Sequence, residues 1–325
     1  MKYILDANGL DKGPEVVIAA GKRAVKEGMD ITIIGKESIR DQVNMSGCKF
    51  MLATEEISTE EKNPAFAIRK YKDSTITKGL YALKNGEFDA FVSGGSTGAV
   101  LAGGTLIVGR IPGVKRSALT IPIPNVNGKL SYLLDAGANV ECTPDMLYEF
   151  AVLASNYVKS AKGIENPSVM LINNGIEEEK GSSLTKEAYQ LLKNSNLNFK
   201  GNLEGRYIFD GQSDIIVTDG FSGNLILKCL EGEFIFINHL IKKSAMENFF
   251  NKIAMLILKK SFKRNFSVLD SNQYGGVPLL GLKKVVIKAH GSSDECAFYN
   301  SILAARDAHE SGMIESITNI FAKEA

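Results

Sequence analysis

Short apolar runs recur along this chain, and helical patterns separate them. The runs are Tyr3–Leu5, Ile31–Ile34, Phe88–Val92, Leu130–Leu134, Val169–Ile172, Ile215–Thr218 and Val285–Lys288. Several are continuously apolar, as expected of strands covered on both faces. The intervening stretches Glu15–Glu27, Met146–Ala161 and Leu184–Leu192 carry helical apolar spacing. Pro144-Asp145 marks a helix start after Thr143. Strand–helix alternation of this kind predicts a doubly wound, mostly parallel α/β sheet. The 325 residues, 44% of them hydrophobic, can bury a large core, as one big α/β domain or two smaller ones. With no internal repeat, low-complexity tract or Pro/Ser linker, we read residues 1–325 as a single α/β domain.

In open parallel sheets the loops after the strand C-termini build the binding site. Here those loops are unusual. They read Asp6–Asp11 (DANGLD), Ser93–Gly98 (SGGSTG), Asp135–Asn139 (DAGAN), Asn173–Gly181, Asp219–Asn224 (DGFSGN) and His290–Asp294 (HGSSD). One such corner is unremarkable, because Gly and Asn serve turns and Ser or Asp caps helices. Six on one edge predict a ligand that approaches the backbone closely. Ser93–Gly98 and Gly291–Ser293 are the better anion cradles, since a strand–glycine–helix corner presents N–H groups and a favourable dipole. Neither is a P-loop or a full GxGxxG, so neither nucleotide nor dinucleotide is supported.

The totals narrow the function. A net charge of +1 supplies no field for nucleic acid. Asp6 breaks any signal-peptide pattern, and no run of about 18 apolar residues predicts a membrane span. Four scattered cysteines fit a reducing cytosol and offer neither disulfide framework nor metal site. Phe234–Arg264 departs from the rest: it has helical spacing, seven Lys or Arg, and one acidic residue, Glu247. We read it as two amphipathic helices forming an arm that leaves the sheet.

Seven segments, VSGGSTGA, LLDAGANV, KGSSLTKEAY, NLEGRYIFDG, DIIVTDGFSGNLILK, YGGVPLLG and KAHGSSD, together resemble the motif series of the bacterial phosphate acyltransferases of phospholipid synthesis. They fall in that family's order, and the resemblance runs from about Met1 to Ile302. It implies a three-layer α/β/α sandwich, similar to phosphotransacetylases and isopropylmalate-type dehydrogenases, with a protruding helical arm. It implies transfer of a long acyl chain from acyl carrier protein to inorganic phosphate, with no cofactor and no metal. The acyl phosphate would pass to a membrane glycerol-3-phosphate acyltransferase. It further implies a cytoplasmic homodimer whose arm contacts the membrane peripherally.

Phosphate would itself be the nucleophile, so the site needs positioning and oxyanion donors rather than a Ser–His or Cys–His pair. On this resemblance Ser93, Gly95, Ser96 and Thr97 cradle phosphate, with Asp6, Asn8, Asn139, Ser292 and Ser293 lining the same edge. Lys180 is a cation for phosphate or the oxyanion, or else a solvated lysine balancing Glu177–Glu179. Asn224, in the corner opened by Asp219, donates to the acyl carbonyl or only caps its helix. His290 protonates the departing thiolate, binds phosphate, or is structural. Phe249, Phe250, Leu256, Lys259 and Lys260 of the arm meet an anionic membrane surface or an acidic carrier protein, unless the arm is a buried dimer hairpin. The chain departs from the family at Asn8 and Leu10, where Met-Gly-Gly is usual, at Ser96 and Ser182 for Asn, and at Lys284 for Gly. The rival readings are a coenzyme A-dependent phosphate acetyl- or butyryltransferase, an NAD-dependent dehydrogenase of the isopropylmalate type, and an inactive scaffold.

Overall fold

The computed structural model of the protein describes residues 1–266 and 275–324. Tyr274, which opens the YGGVPLLG motif, lies outside the described residues. The strands, in chain order, are β1 (Lys2–Asp6), β2 (Asp30–Gly35), β3 (Lys49–Leu52), β4 (Ala90–Ser93), β5 (Ala118–Leu119) and β6 (Ile121–Pro124). They continue with β7 (Leu130–Leu134), β8 (Ser168–Asn173), β9 (Asn198–Glu204), β10 (Ile215–Val217), β11 (Val277–Leu280) and β12 (Val285–Lys288). All seven runs picked out from sequence are among them.

The strands form two sheets, ordered β3-β2-β1-β4-β12-β11-β5 and β6-β7-β10-β8-β9. Pairing is parallel except where β11 meets β12 and β5, and where β6 meets β7. The division corrects one expectation. The six corners do not share one edge: those after β1, β4 and β12 cap the larger sheet, and those after β7, β8 and β10 cap the smaller. Asp135 and Leu119 tie the two, because β5 ends one sheet and β6 begins the other within two residues.

Alternate side chains of the larger sheet enter two separate cores, which makes three layers. Tyr3, Leu5, Val92 and Ile287 face one way, onto Val17, Phe298 and Ile302 of the helices Pro14–Lys26 and Glu295–Glu310. Ile4, Phe91 and Val286 face the other way, onto Ile76, Leu80 and Leu83 of the helix Thr75–Lys84. The first core continues through Leu147 and Phe150 into Leu134, Val169 and Ile215 of the smaller sheet. Those two residues belong to the helix Pro144–Lys162, which packs on β10 of one sheet and β11 of the other. Proline stands in its first turn, and Gly163, at φ 70°, ends it in the left-handed conformation that a side chain resists.

The arm is two helices, as expected, but the first begins earlier. It runs Gly220–Met246, starting at the Asp219 corner, and Phe249–Phe266 follows and packs against it. Ile235, Phe236, Leu240, Phe249, Phe250, Ile253, Leu256, Ile257 and Leu258 are 41% to 80% exposed. Lys259 and Lys260 are exposed beside them. No helix among the described residues is long and apolar enough to cross a membrane.

Candidate active site

Three corners of the larger sheet interlock. At the end of β1, Asp6 is fully buried; it accepts the Asn8 N–H at 2.9 Å and the Ser93 hydroxyl at 2.6 Å. The Ser93 oxygen in turn accepts the Gly95 N–H at 3.0 Å. Gly9, at φ 86°, lies so close that a Cβ there would stand 2.3 Å from the Gly95 Cα. Leu10, one of the departures from the family pattern, is buried against Gly94. The third corner joins when Gly291 accepts the Asp11 N–H at 2.9 Å. The side-chain nitrogen of Asn8 is buried without a hydrogen-bond partner.

A residue that sequence reasoning missed completes this group. Lys288 ends β12 opposite Ser93 and is only 8% exposed. Its ammonium donates to the Gly94 carbonyl at 3.2 Å and to the Ala289 carbonyl. Burial pulls its pKa down to about 8, and the charges of Asp6 and Asp11 act against that pull. Burial likewise pushes Asp6 up to about 6, while its bonds from Ser93 and Asn8 oppose the rise. The one signal in the sequence was a lysine closing an otherwise apolar strand, VVIK.

The predicted cradle is therefore divided. Ser93 and Gly95 are buried and bonded to each other, and Ser96 spends its hydroxyl capping the helix Thr97–Gly103 through the Ala99 N–H. Serine and asparagine both cap helices, which accounts for the departure at Ser96. Ser182, which caps the helix Ser183–Lys193 at Thr185, follows the same rule. Thr97, His290 and Ser292 are the exposed members, and Ser293 is buried. His290 holds Ser292 through Nδ1, 2.7 Å from the hydroxyl.

The smaller sheet supplies the second group. Asp135, fully buried at the end of β7, accepts N–H bonds from Leu119, Gly137, Ala138 and Asn139 and one from the Asn139 side-chain amide. Burial raises its pKa against those bonds. Asn139 also donates to the Ser117 carbonyl at 2.8 Å and takes the Gly220 N–H at 2.9 Å. A Cβ on Gly223 would stand 1.9 Å from the Asp135 carbonyl oxygen, so the helix start presses directly on this corner. Asp219 caps that helix through the Ser222 N–H and hydroxyl, both at 2.8 Å. Asn224, one turn on, is exposed beside Gly137.

Lys180 is exposed on the loop after β8. Glu178 is engaged by Lys193 and Gln190, at 2.8 Å and 2.6 Å. Among the described residues no hydrogen bond or ion pair joins the Lys180 ammonium to the Glu177–Glu179 run, nor to Asn224. One contact bridges the two groups. Glu231, three turns into the helix Gly220–Met246, stands 3.7 Å from His290 Nε2. Sequence gave no hint of it, since the pairing depends on how the helix crosses the neighbouring sheet. Among the described residues no group of three or more His, Cys, Asp or Glu is placed to hold a metal ion.

A family described as "Fatty acid synthesis protein" matches residues 1–316. The phosphate acyltransferase of Bacillus cereus (strain B4264) is 39% identical over 328 residues, covering 100% of this chain and 99% of its own. That of Staphylococcus epidermidis (strain ATCC 12228 / FDA PCI 1200) is 43% identical over 320 residues, with 97% of each chain covered. The chain belongs to the phosphate acyltransferase family. It is thus a member of an acyltransferase family. Among solved structures, EutD phosphotransacetylase from Staphylococcus aureus aligns with a TM-score of 0.59 at 16% identity, over 95% of this chain and 94% of its own. A phosphotransacetylase from Streptococcus pyogenes aligns at 0.58 and 20% identity, over 97% and 94%. Both are likenesses of fold.

Proposed function

We propose that this chain transfers a long-chain fatty acyl group from acyl carrier protein to inorganic phosphate. The observation that carries the reading is the corner cluster of the larger sheet. Its glycine turn, its buried ammonium and the unpartnered Asn8 amide suit a small anion. A phosphate oxygen attacks the thioester carbonyl, a C–O bond forms, and the C–S bond breaks. The thiolate leaves as the carrier's thiol after taking a proton, and His290, exposed at the bridge between the two groups, is positioned to give it. Lys180 and Asn224 are the donors for the oxyanion, acting where charge develops. Thr97 and Ser292 are the exposed hydroxyls for phosphate.

The wider setting belongs to the same proposal. The product is an acyl phosphate, a mixed anhydride suited to a downstream membrane glycerol-3-phosphate acyltransferase in phospholipid synthesis. The enzyme is read as a cytoplasmic homodimer, a single α/β domain with its arm resting peripherally on the membrane. The exposed apolar residues of the arm, flanked by Lys259 and Lys260, support that contact.

The test is phosphate-dependent release of free thiol from palmitoyl-acyl carrier protein, with acyl phosphate trapped by hydroxylamine, in wild type and Lys180→Ala. Release in the wild type with at least about a hundredfold loss in the variant is expected, the scale of one oxyanion donor. Release only from short acyl-coenzyme A would instead favour a phosphate acetyl- or butyryltransferase.

A further inference from the structure

Lysine is almost never this deeply buried without a carboxylate partner. Lys288 has none within ion-pair distance among the described residues; its ammonium holds two carbonyls. One of them, the Gly94 oxygen, belongs to the same peptide unit as the Gly95 N–H. That N–H is held from the other end by Ser93, which Asp6 holds in turn. The Gly94–Gly95 peptide plane is thereby clamped at both ends. Leu10 packs on Gly94, and Gly9 backs Gly95. An apolar side chain at 288 would fill the same space without the desolvation cost of an ammonium.

We infer that Lys288 is a positioning residue for the phosphate nucleophile. It pins the Gly94 carbonyl, fixes the turn that opens into Ser96 and Thr97, and lays a positive charge beneath the anion. The inference rests on reading the Ser93–Gly98 corner as the phosphate site. The titratable groups around the ammonium are Asp6 at the end of β1, Asp11 in the loop that follows, and His290 on the same corner. The ammonium loses its proton as pH rises through about 8, so phosphate binding weakens there. Arginine would stay charged.

The experiment measures KM for phosphate, KM for the acyl donor and kcat from about pH 6.5 to about pH 9.5, in wild type, Lys288→Met and Lys288→Arg. In Lys288→Met the phosphate KM is expected to rise about tenfold or more at neutral pH, while the donor KM stays within about twofold. In wild type the phosphate KM climbs through about pH 8; in Lys288→Arg that climb is gone and the neutral-pH KM is partly restored. A phosphate KM unchanged in Lys288→Met, or both KM values rising together with no rescue by arginine, overturns the inference. If Lys288→Met does not fold, Lys288→Arg decides alone: an unaltered alkaline climb overturns it. If the wild type shows no phosphate-dependent release, the functional reading fails separately. Calorimetric titration with inorganic phosphate then decides: binding weakened in Lys288→Met supports the inference, and equal binding or none overturns it.

Discussion

Asp6→Asn should make the protein more stable at neutral pH and less useful. Burial raises the Asp6 carboxyl from 3.8 to about 6. A carboxyl whose folded pKa is raised binds its proton more tightly when folded, so its contribution favours folding at low pH. That contribution is lost as pH rises from 3.8 through about 6. Above that window the ionised group costs about 3 kcal/mol, a shift of roughly two units at about 1.4 kcal/mol each. At about pH 4.5 the same calculation leaves about 1 kcal/mol. Asparagine removes the cost at every pH. It also loses one of the two acceptors serving Ser93 and Asn8, a loss of about 1 kcal/mol that does not vary with pH. It further withdraws the negative charge that steadies Lys288. The variant should therefore gain about 2 kcal/mol relative to wild type between about pH 4.5 and about pH 7.5. Urea midpoints at the two pH values, read with a shared m-value, measure it. A wild-type-to-variant difference that stays flat across that interval would refute the reasoning, whatever its sign. Acyl transfer should fall in the same variant, because the Ser93–Gly95 turn loses its anchor; a buried charge kept at a cost to stability marks a functional site.

Gly223→Ala places a methyl group 1.9 Å from the Asp135 carbonyl oxygen, backbone against backbone. Thermal unfolding should show a loss of about 2 kcal/mol or more, with Asn224 displaced and activity reduced alongside. On the arm, Lys259→Glu with Lys260→Glu should cut binding to anionic vesicles at least about thirtyfold in flotation assays and leave binding to neutral vesicles unchanged, since surface lysines contribute about 1 kcal/mol each and the introduced carboxylates add repulsion. Unchanged binding to the anionic vesicles would remove the membrane reading of the arm.

The central strands were readable in the sequence because β4, β10 and β12 are buried on both faces and so carry unbroken apolar runs. The strands that were missed lie at edges or carry prolines. β9 (NFKGNLE) is polar and pairs on one side only; β6 (IPIP) has two prolines and pairs only with β7; β5 is two residues long. The split into two sheets hinges on that short passage from Ala118 to Pro124, too brief to leave a pattern. The helix from Gly220 was legible only from Phe234 outward, because Gly223 and Gly232 interrupt the first part and Asp219 reads as a turn. Chemistry at the corners was visible as residue type. Partnership was not: that Lys288 reaches Gly94, that Glu231 reaches His290, and that the Leu119 N–H reaches Asp135 depend on how elements apart in sequence lie side by side.

The helix Gly220–Met246 is 27 residues long, a rod of about 40 Å. It is capped at Asp219 and stands against His290 through Glu231 less than halfway along. Such a rod works as a lever: a tilt of about 5° about its capped end carries Glu231 through about 1.5 Å, at about 1.5 Å of rise per residue. That travel is large against a gap of 3.7 Å. The attitude of the arm and the surroundings of the histidine are thus one mechanical variable, so a label on the outer turns would report on the chemistry at the inner end.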